Sequence, residues 1–138
     1  MKYIQDIKEM EDDKLTTFSL DEDGINKIDL PTGKCYKSFS FITFKKDDDW
    51  IYFDFIQTNL RFRGKGYARK LLSSIVECCI NQGFRNFELF VNSNDSNISN
   101  IQLVKFYKSV FINIDKCEFS IQEKNEESGE ISLKFIML

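Results

Sequence analysis

Apolar and polar positions alternate with a period of two through much of the first part of the chain, then change to helical spacing after Gly64 and Gly66. Leu15 to Leu20 reads as a short strand and Ile25 to Leu30 as a weaker one, with DEDG (Asp21 to Gly24) as the turn between them. Pro31-Thr32-Gly33 then breaks the chain. Lys34 to Phe44 and Trp50 to Thr58 are rich in aromatic and β-branched residues, and the KKDDD turn (Lys45 to Asp49) makes them an antiparallel hairpin. Strict alternation in the second of these strands puts Ile51, Phe53 and Phe55 on one face. Trp50, Tyr52, Asp54, Ile56 and Thr58 fall on the other.

Ala68, Leu71, Leu72, Ile75, Val76 and Cys79 recur at helical spacing, and Gly83 suits the position after a helix end. The spacing predicts a helix from about Gly66 to Gln82. Phe84 to Asn92 alternates again and reads as a strand, with Phe87, Leu89 and Val91 set against Glu88 and Phe90. The polar segment SNDSNISN is rich in N-cap residues and leads into a second helix, Ile98 to Val110, with Ile101, Val104, Tyr107 and Phe111 along one stripe. Cys117 to Gln122 and Ile131 to Leu138 flank EKNEESGE (Glu123 to Glu130) as a closing hairpin. The whole is a mixed α/β sheet whose central β-α-β unit is parallel and right-handed.

A chain of 138 residues fits one domain, 1–138, with a single sizeable core that 14 Phe make aromatic. No long apolar segment predicts a membrane helix, and the start MKYIQDIKEMEDD has no apolar region of a signal peptide. Cys35, Cys78, Cys79 and Cys117 are scattered without a CxxC pair, which reads as reduced thiols in a cytoplasmic protein. The chain has no His, which removes Ser-His-Asp and Cys-His catalysis and His-rich metal sites; no metal is expected. Acid–base work must fall to carboxylates, Tyr, Lys, Cys or water. A net charge of −3 argues against a nucleic-acid partner and is compatible with a cationic substrate.

RFRGKGYARKLL (Arg61 to Leu72) stands where a strand passes directly into a helix. Such a junction leaves the first helical N–H groups without partners and places positive partial charge there. Gly64 and Gly66 let backbone approach a ligand closely, and Arg63, Lys65 and Arg69 add full charges. These parts suit a pyrophosphate. The turn is not a P-loop, since no Gly-Lys-Ser/Thr follows, and not a dinucleotide fingerprint, since Arg69 stands at the third Gly.

Arg63-Gly64-Lys65-Gly66-Tyr67-Ala68 resembles the Arg/Gln-x-x-Gly-x-Gly/Ala signature of the GCN5-related N-acetyltransferases, the GNAT superfamily. Asn100-Ile-Gln-Leu-Val-Lys-Phe106-Tyr107-Lys-Ser-Val-Phe111 is similar to that family's Asn-x-x-Ala-x-x-Phe-Tyr-x-x-x-Gly-Phe stretch. The two motifs lie in the family's order and on its elements, across about Trp50 to Phe111. The resemblance implies a GNAT fold: a mixed, mostly antiparallel sheet with a central parallel β-α-β unit, flanked by helices. It implies acetyl-CoA as donor, held at its pyrophosphate by Arg63, Gly64, Lys65, Gly66, Tyr67 and Ala68. The strand before the turn would splay from its neighbour and hold pantetheine and the acetyl carbonyl at Ile56, Thr58 and Leu60. Asn100 would hydrogen-bond CoA, and Tyr107 would be the general acid.

The amine can attack the thioester directly, so no nucleophilic side chain is required. Asp54 is the candidate base: set among Trp50, Tyr52 and Ile56, its carboxylate is expected to be poorly solvated, which would raise its pKa. A water chain is the other candidate. Leu60, Leu103 and Val110 depart from the family's usual Pro, Ala and Gly. The front end departs more, since Met1 to Gly33 has room for at most one short helix where the family has two between its first two strands. The reading is an N-acetyltransferase acting on a primary amine in a ternary complex. The alternative is a GNAT-fold interaction module that binds CoA without turnover. The acceptor amine, small or peptidic, is open, as is the oligomeric state, a homodimer included.

Overall fold

The computed structural model describes residues 7–28, 38–58, 63–93 and 97–138. Pro31 to Gly33, Cys35 and Leu60, which carry expectations above, lie outside the described residues. Seven strands form one sheet: β1 (Thr16–Asp21), β2 (Gly24–Ile28), β3 (Ser40–Asp47), β4 (Trp50–Thr58), β5 (Asn86–Val91), β6 (Phe119–Asn125) and β7 (Ile131–Met137). Their order is β2-β1-β3-β4-β5-β7-β6. All neighbours are antiparallel except β4 and β5, which are parallel. Helix α1 (Tyr67–Asn81) joins β4 to β5, and α2 (Asn100–Ile112) joins β5 to β6.

Both crossovers move the same way along the sheet, and β5 and β6 run parallel through β7. A right-handed crossover therefore puts both helices on one face. The packing agrees. Leu71, Leu72, Ile75, Val76 and Cys79 of α1 join the buried cluster that holds Phe18, Phe44, Ile51 and Phe53. Phe111 of α2 stacks on Phe135 at 3.8 Å and meets the edge of Phe87. The opposite face carries Lys45, Trp50, Tyr52, Glu88 and Lys134, and neither α1 nor α2 packs on it.

Helix α1 stops as its sequence dictates. Gly83 takes φ +97°, its N–H donates to the Ile80 carbonyl, and Phe84 N–H donates to the Cys79 carbonyl. That is a Schellman closure, with Phe84 buried against the last turn. Helix α2 starts on a capping box: Ser99 Oγ accepts from Gln102 N–H, and Gln102 Oε1 accepts from Ser99 N–H.

Three expectations change. Lys34 to Phe44 becomes a strand that runs Ser40–Asp47 among the described residues, so the β3–β4 turn shrinks to Asp48-Asp49, with Asp48 at φ +56°. Ile101 is 66% exposed and leaves the apolar stripe of α2. The 3.6-residue period traced back from Phe111, Tyr107 and Val104 lands on Asn100 instead. The third concerns the faces of β4. Phe44 pairs with Phe53 while Thr43 pairs with Phe55, so Asp54 is the extra residue of a β-bulge. Beyond it the alternation inverts: Phe55 joins the face of Trp50 and Tyr52, while Ile56 and Thr58 turn to the helix face of Ile51 and Phe53. Among the described residues of the front end, only a 3-10 turn at Ile7–Glu9 is helical.

Candidate functional site

β4 and β5 pair only through Trp50–Phe53 and Asn86–Leu89. Past Phe53, β4 follows β3 while β5 continues along β7, so the two strands part at their carboxyl ends. Residues 54 to 58 of β4 keep backbone groups directed into the gap, where no partner strand stands among the described residues. A cleft of about 600 Å³ occupies it, lined from β4, the glycine turn, β5 and α2. That volume is in the range of small-molecule and cofactor sites.

The glycine turn closes one end. Gly64 and Gly66 have φ +77° and +80°, left-handed values that glycine adopts without strain, and a Cβ at either would meet open space. Gly66 caps α1 without any side-chain hydrogen bond, so the helix N-terminus opens toward the cleft with its positive partial charge uncompensated by a capping side chain. Arg63 Nε donates to the Thr58 carbonyl at 3.2 Å, which ties the turn to the end of β4. Tyr67 stacks on Phe39 at 4.6 Å, and the Arg69 guanidinium lies over the Phe106 ring at 5.4 Å, bridging α1 and α2.

Helix α2 forms the other wall. Tyr107 is 9% exposed and lines the cleft together with Gln102, Leu103 and Phe106. Burial pushes its phenol up to about 12 from 10, because the charged form loses hydration there. The side chain therefore keeps its proton at any working pH.

Of the residues expected at the site, Asp54, Ile56, Thr58, Arg63, Gly64, Gly66, Tyr67, Ala68 and Tyr107 are brought together around this one cleft. Lys65 is exposed and lies outside the lining. Asn100 lies outside it too, and its amide is engaged elsewhere. Its Oδ1 accepts from Ser93 N–H at 2.7 Å and its Nδ2 donates to the Gly129 carbonyl at 3.3 Å, clamping the loop before α2 to the β6–β7 turn. Asp54 is exposed rather than desolvated, because the bulge turns it out of the alternation that would have set it among Tyr52 and Ile56. Thr58 Oγ1 donates to Ser40 Oγ at 3.1 Å. Sequence reasoning missed Gln102 and Phe106 as cleft residues; the two are four apart on α2, a spacing that shares a helix face, and they line the cleft beside Tyr107. It also missed Phe90, where an aromatic residue at the Glu88 phase of the alternation, the outward one, was the available signal; it is 52% exposed. Among the described residues no helix is long and apolar enough to cross a membrane, and no cluster of three metal-ligating side chains occurs.

The architecture has solved counterparts. The PaiA N-acetyltransferase of Thermoplasma acidophilum, in complex with coenzyme A, superposes with a TM-score of 0.58 at 9% identity over 96% of this chain and 65% of that one. The chain thus spans just under two thirds of that relative. An acetyltransferase of Bacillus cereus matches with a TM-score of 0.54 at 19% identity, over 99% of this chain and 86% of its own. A Bacillus subtilis acetyltransferase in complex with CoA matches with a TM-score of 0.53 at 14% identity, over 83% and 76%. At such identities the likeness is one of fold. Among curated proteins, no sequence matches this chain. The sequence pattern of the Acetyltransferase (GNAT) family matches residues 35–110, more than half the chain and nearly all of the cleft described above. With its two motifs on the two helices that wall a cleft between splayed parallel strands, the chain belongs to the GNAT acetyltransferase family.

Proposed function

We propose that this chain, as one domain, transfers an acetyl group from acetyl-CoA to a primary amine by direct attack within a ternary complex. The observation that carries the reading is the cleft itself: an uncapped helix N-terminus with two left-handed glycines at one end, and a buried, proton-holding tyrosine in its wall. The residues present fit the donor. Gly64, Gly66 and the first turn of α1 form an anion cradle, open where a Cβ would stand at either glycine and flanked by Arg63 and Arg69. The edge of β4 around Ile56, without a partner strand among the described residues, offers backbone groups to an extended chain, and Thr58, whose carbonyl accepts from Arg63, ends it.

Acetyl-CoA, when bound, supplies an activated thioester, whose C–S bond breaks as the N–C bond forms and whose electron pair leaves on sulfur. Tyr107 holds the proton that the sulfur takes up, and burial keeps it neutral for that purpose. Asp54, at the point where the strands part, is the candidate acceptor of the amine's proton, directly or through water. The nitrogen's second proton goes to the Tyr107 oxygen and restores the phenol, and solvent removes the proton on Asp54. One proton is released per turnover when the amine enters as ammonium.

A second reading, a CoA-binding module without turnover, draws on Asn100, whose amide is committed to the protein rather than turned to the cleft. Thermal unfolding with saturating acetyl-CoA, followed by thiol release against a broad amine panel, tests both. At a ligand concentration about 100 times Kd, native-state binding adds about 2.7 kcal/mol and raises Tm by several degrees. No shift at millimolar acetyl-CoA refutes the proposal. A shift with no thiol release for any amine selects the module.

A further inference from the structure

The cleft runs between the parting strands and is lined by residues from both faces of the sheet, which differ in chemistry. On the helix face lie the α1 N-terminus, Arg69, Phe106 and Tyr107. On the opposite face two aromatic rings flank the opening, one from each parting strand. Phe55 is turned there by the bulge, and Phe90 stands on β5 against Ser132. They are 38% and 52% exposed, unlike the buried Phe53 and Leu89 beside them in sequence. Phe55 is braced by Phe41 at a ring separation of 5.5 Å. Asp54 precedes Phe55 at the point of divergence, and among the described lining residues it is the only carboxylate. The next acid along β5 on that face, Glu88, accepts from Ser132 Oγ at 3.3 Å and lies outside the lining.

On the acetyltransfer reading above, which this rests on, we infer that the acceptor is an arylalkylamine: a primary amine on an aromatic body, entering between Phe55 and Phe90 from the face opposite α1 and α2. An ammonium group is attracted both to Asp54 and to the ring faces beside it. The aromatic body covers apolar ring surface that the fold leaves in water. A polyamine or an aminosugar carries several ammonium groups and needs several carboxylates. This cleft offers one, with Arg63 and Arg69 adding positive charge further in. In the step itself the ammonium gives one proton to Asp54, the nitrogen forms the N–C bond as C–S breaks, Tyr107 protonates the departing sulfur, and the nitrogen's second proton returns to the Tyr107 oxygen.

The experiment measures initial rates of thiol release with 2-phenylethylamine, spermidine and kanamycin, on the wild type and on Phe55→Ala and Phe90→Ala. The thermal shift by acetyl-CoA is recorded in parallel. The expected result is the highest kcat/KM for 2-phenylethylamine, a KM for it raised by about tenfold in each variant as an aromatic–cation contact is lost, and an unchanged acetyl-CoA shift. Both rings are exposed, so the variants keep the core intact. Faster turnover of spermidine or kanamycin, an unchanged KM in both variants, or no turnover of 2-phenylethylamine overturns the inference while the acetyl-CoA shift leaves donor binding standing. Absence of the shift in the wild type overturns both.

Discussion

Replacing Tyr107 by Phe removes one oxygen from the cleft wall, and the consequence can be worked out for stability as well as for turnover. Burial raises the phenol from 10 to about 12. The folded protein therefore holds this proton more tightly than the unfolded chain does. The associated stability is fully present below about pH 10 and is lost as pH rises through about 12. Two pH units at 1.36 kcal/mol each make the loss about 3 kcal/mol. Cys79, whose thiol burial also pushes up, and Tyr52, raised by burial and by the Glu88 charge, add alkaline losses of their own. Both are present in wild type and variant, so the difference between the two isolates Tyr107. Urea unfolding at intervals from pH 8 to pH 12 is the assay. The stability of Tyr107→Phe relative to wild type should improve by about 2 kcal/mol by pH 12, the rest of the loss falling above it. A difference that stays flat refutes the assignment of a desolvated phenol. At pH 7 the same variant should lose about 100-fold or more in turnover if the phenol is the general acid, with acetyl-CoA affinity unchanged. Unchanged turnover would leave Tyr107 a packing residue.

Gly66→Glu places a carboxylate at the anion cradle and a Cβ on a residue at φ +80°, where the strain is about 1–2 kcal/mol. The acetyl-CoA thermal shift should vanish in this variant and persist, weakened, in Gly66→Ala, which shares the strain without the charge; a full shift in Gly66→Glu contradicts the cradle. Phe111→Ala removes a fully buried ring stacked on Phe135 and should cost about 3–5 kcal/mol in chemical denaturation. A loss under 1 kcal/mol would mean that the α2–sheet contact is not part of the core.

Much of this fold is legible because local chemistry and tertiary packing agree. Trp50 to Thr58 carries so many aromatic and branched residues that no other element competes, and its bounds match the strand residue for residue. Gly83 and Ser99 mark their helix ends through backbone demands that few residues meet. What escaped is what depends on phase. A period of two read through Asp54 misplaces every later side chain of β4, because one unpaired residue inverts the count. The adjacent apolar pair Phe55-Ile56 was the local sign that the alternation slips. Asn100 escaped for another reason: its partners, Ser93 and Gly129, are fixed only once β6 and β7 close over the loop.

The bulge at Asp54 also sets the rules for anyone redesigning the mouth of the cleft. Upstream of it, even-numbered positions of β4 are the adjustable ones and odd-numbered positions belong to the interior; downstream the parity reverses. Libraries aimed at new acceptors should diversify positions 55 and 57 and hold 56 and 58 constant. A single-codon deletion at position 54 would remove the bulge and leave these facings as they are, because Phe53 and Phe55 already pair with the consecutive residues Phe44 and Thr43; a deletion of any other single residue of the strand leaves the bulge in place and shifts what it separates.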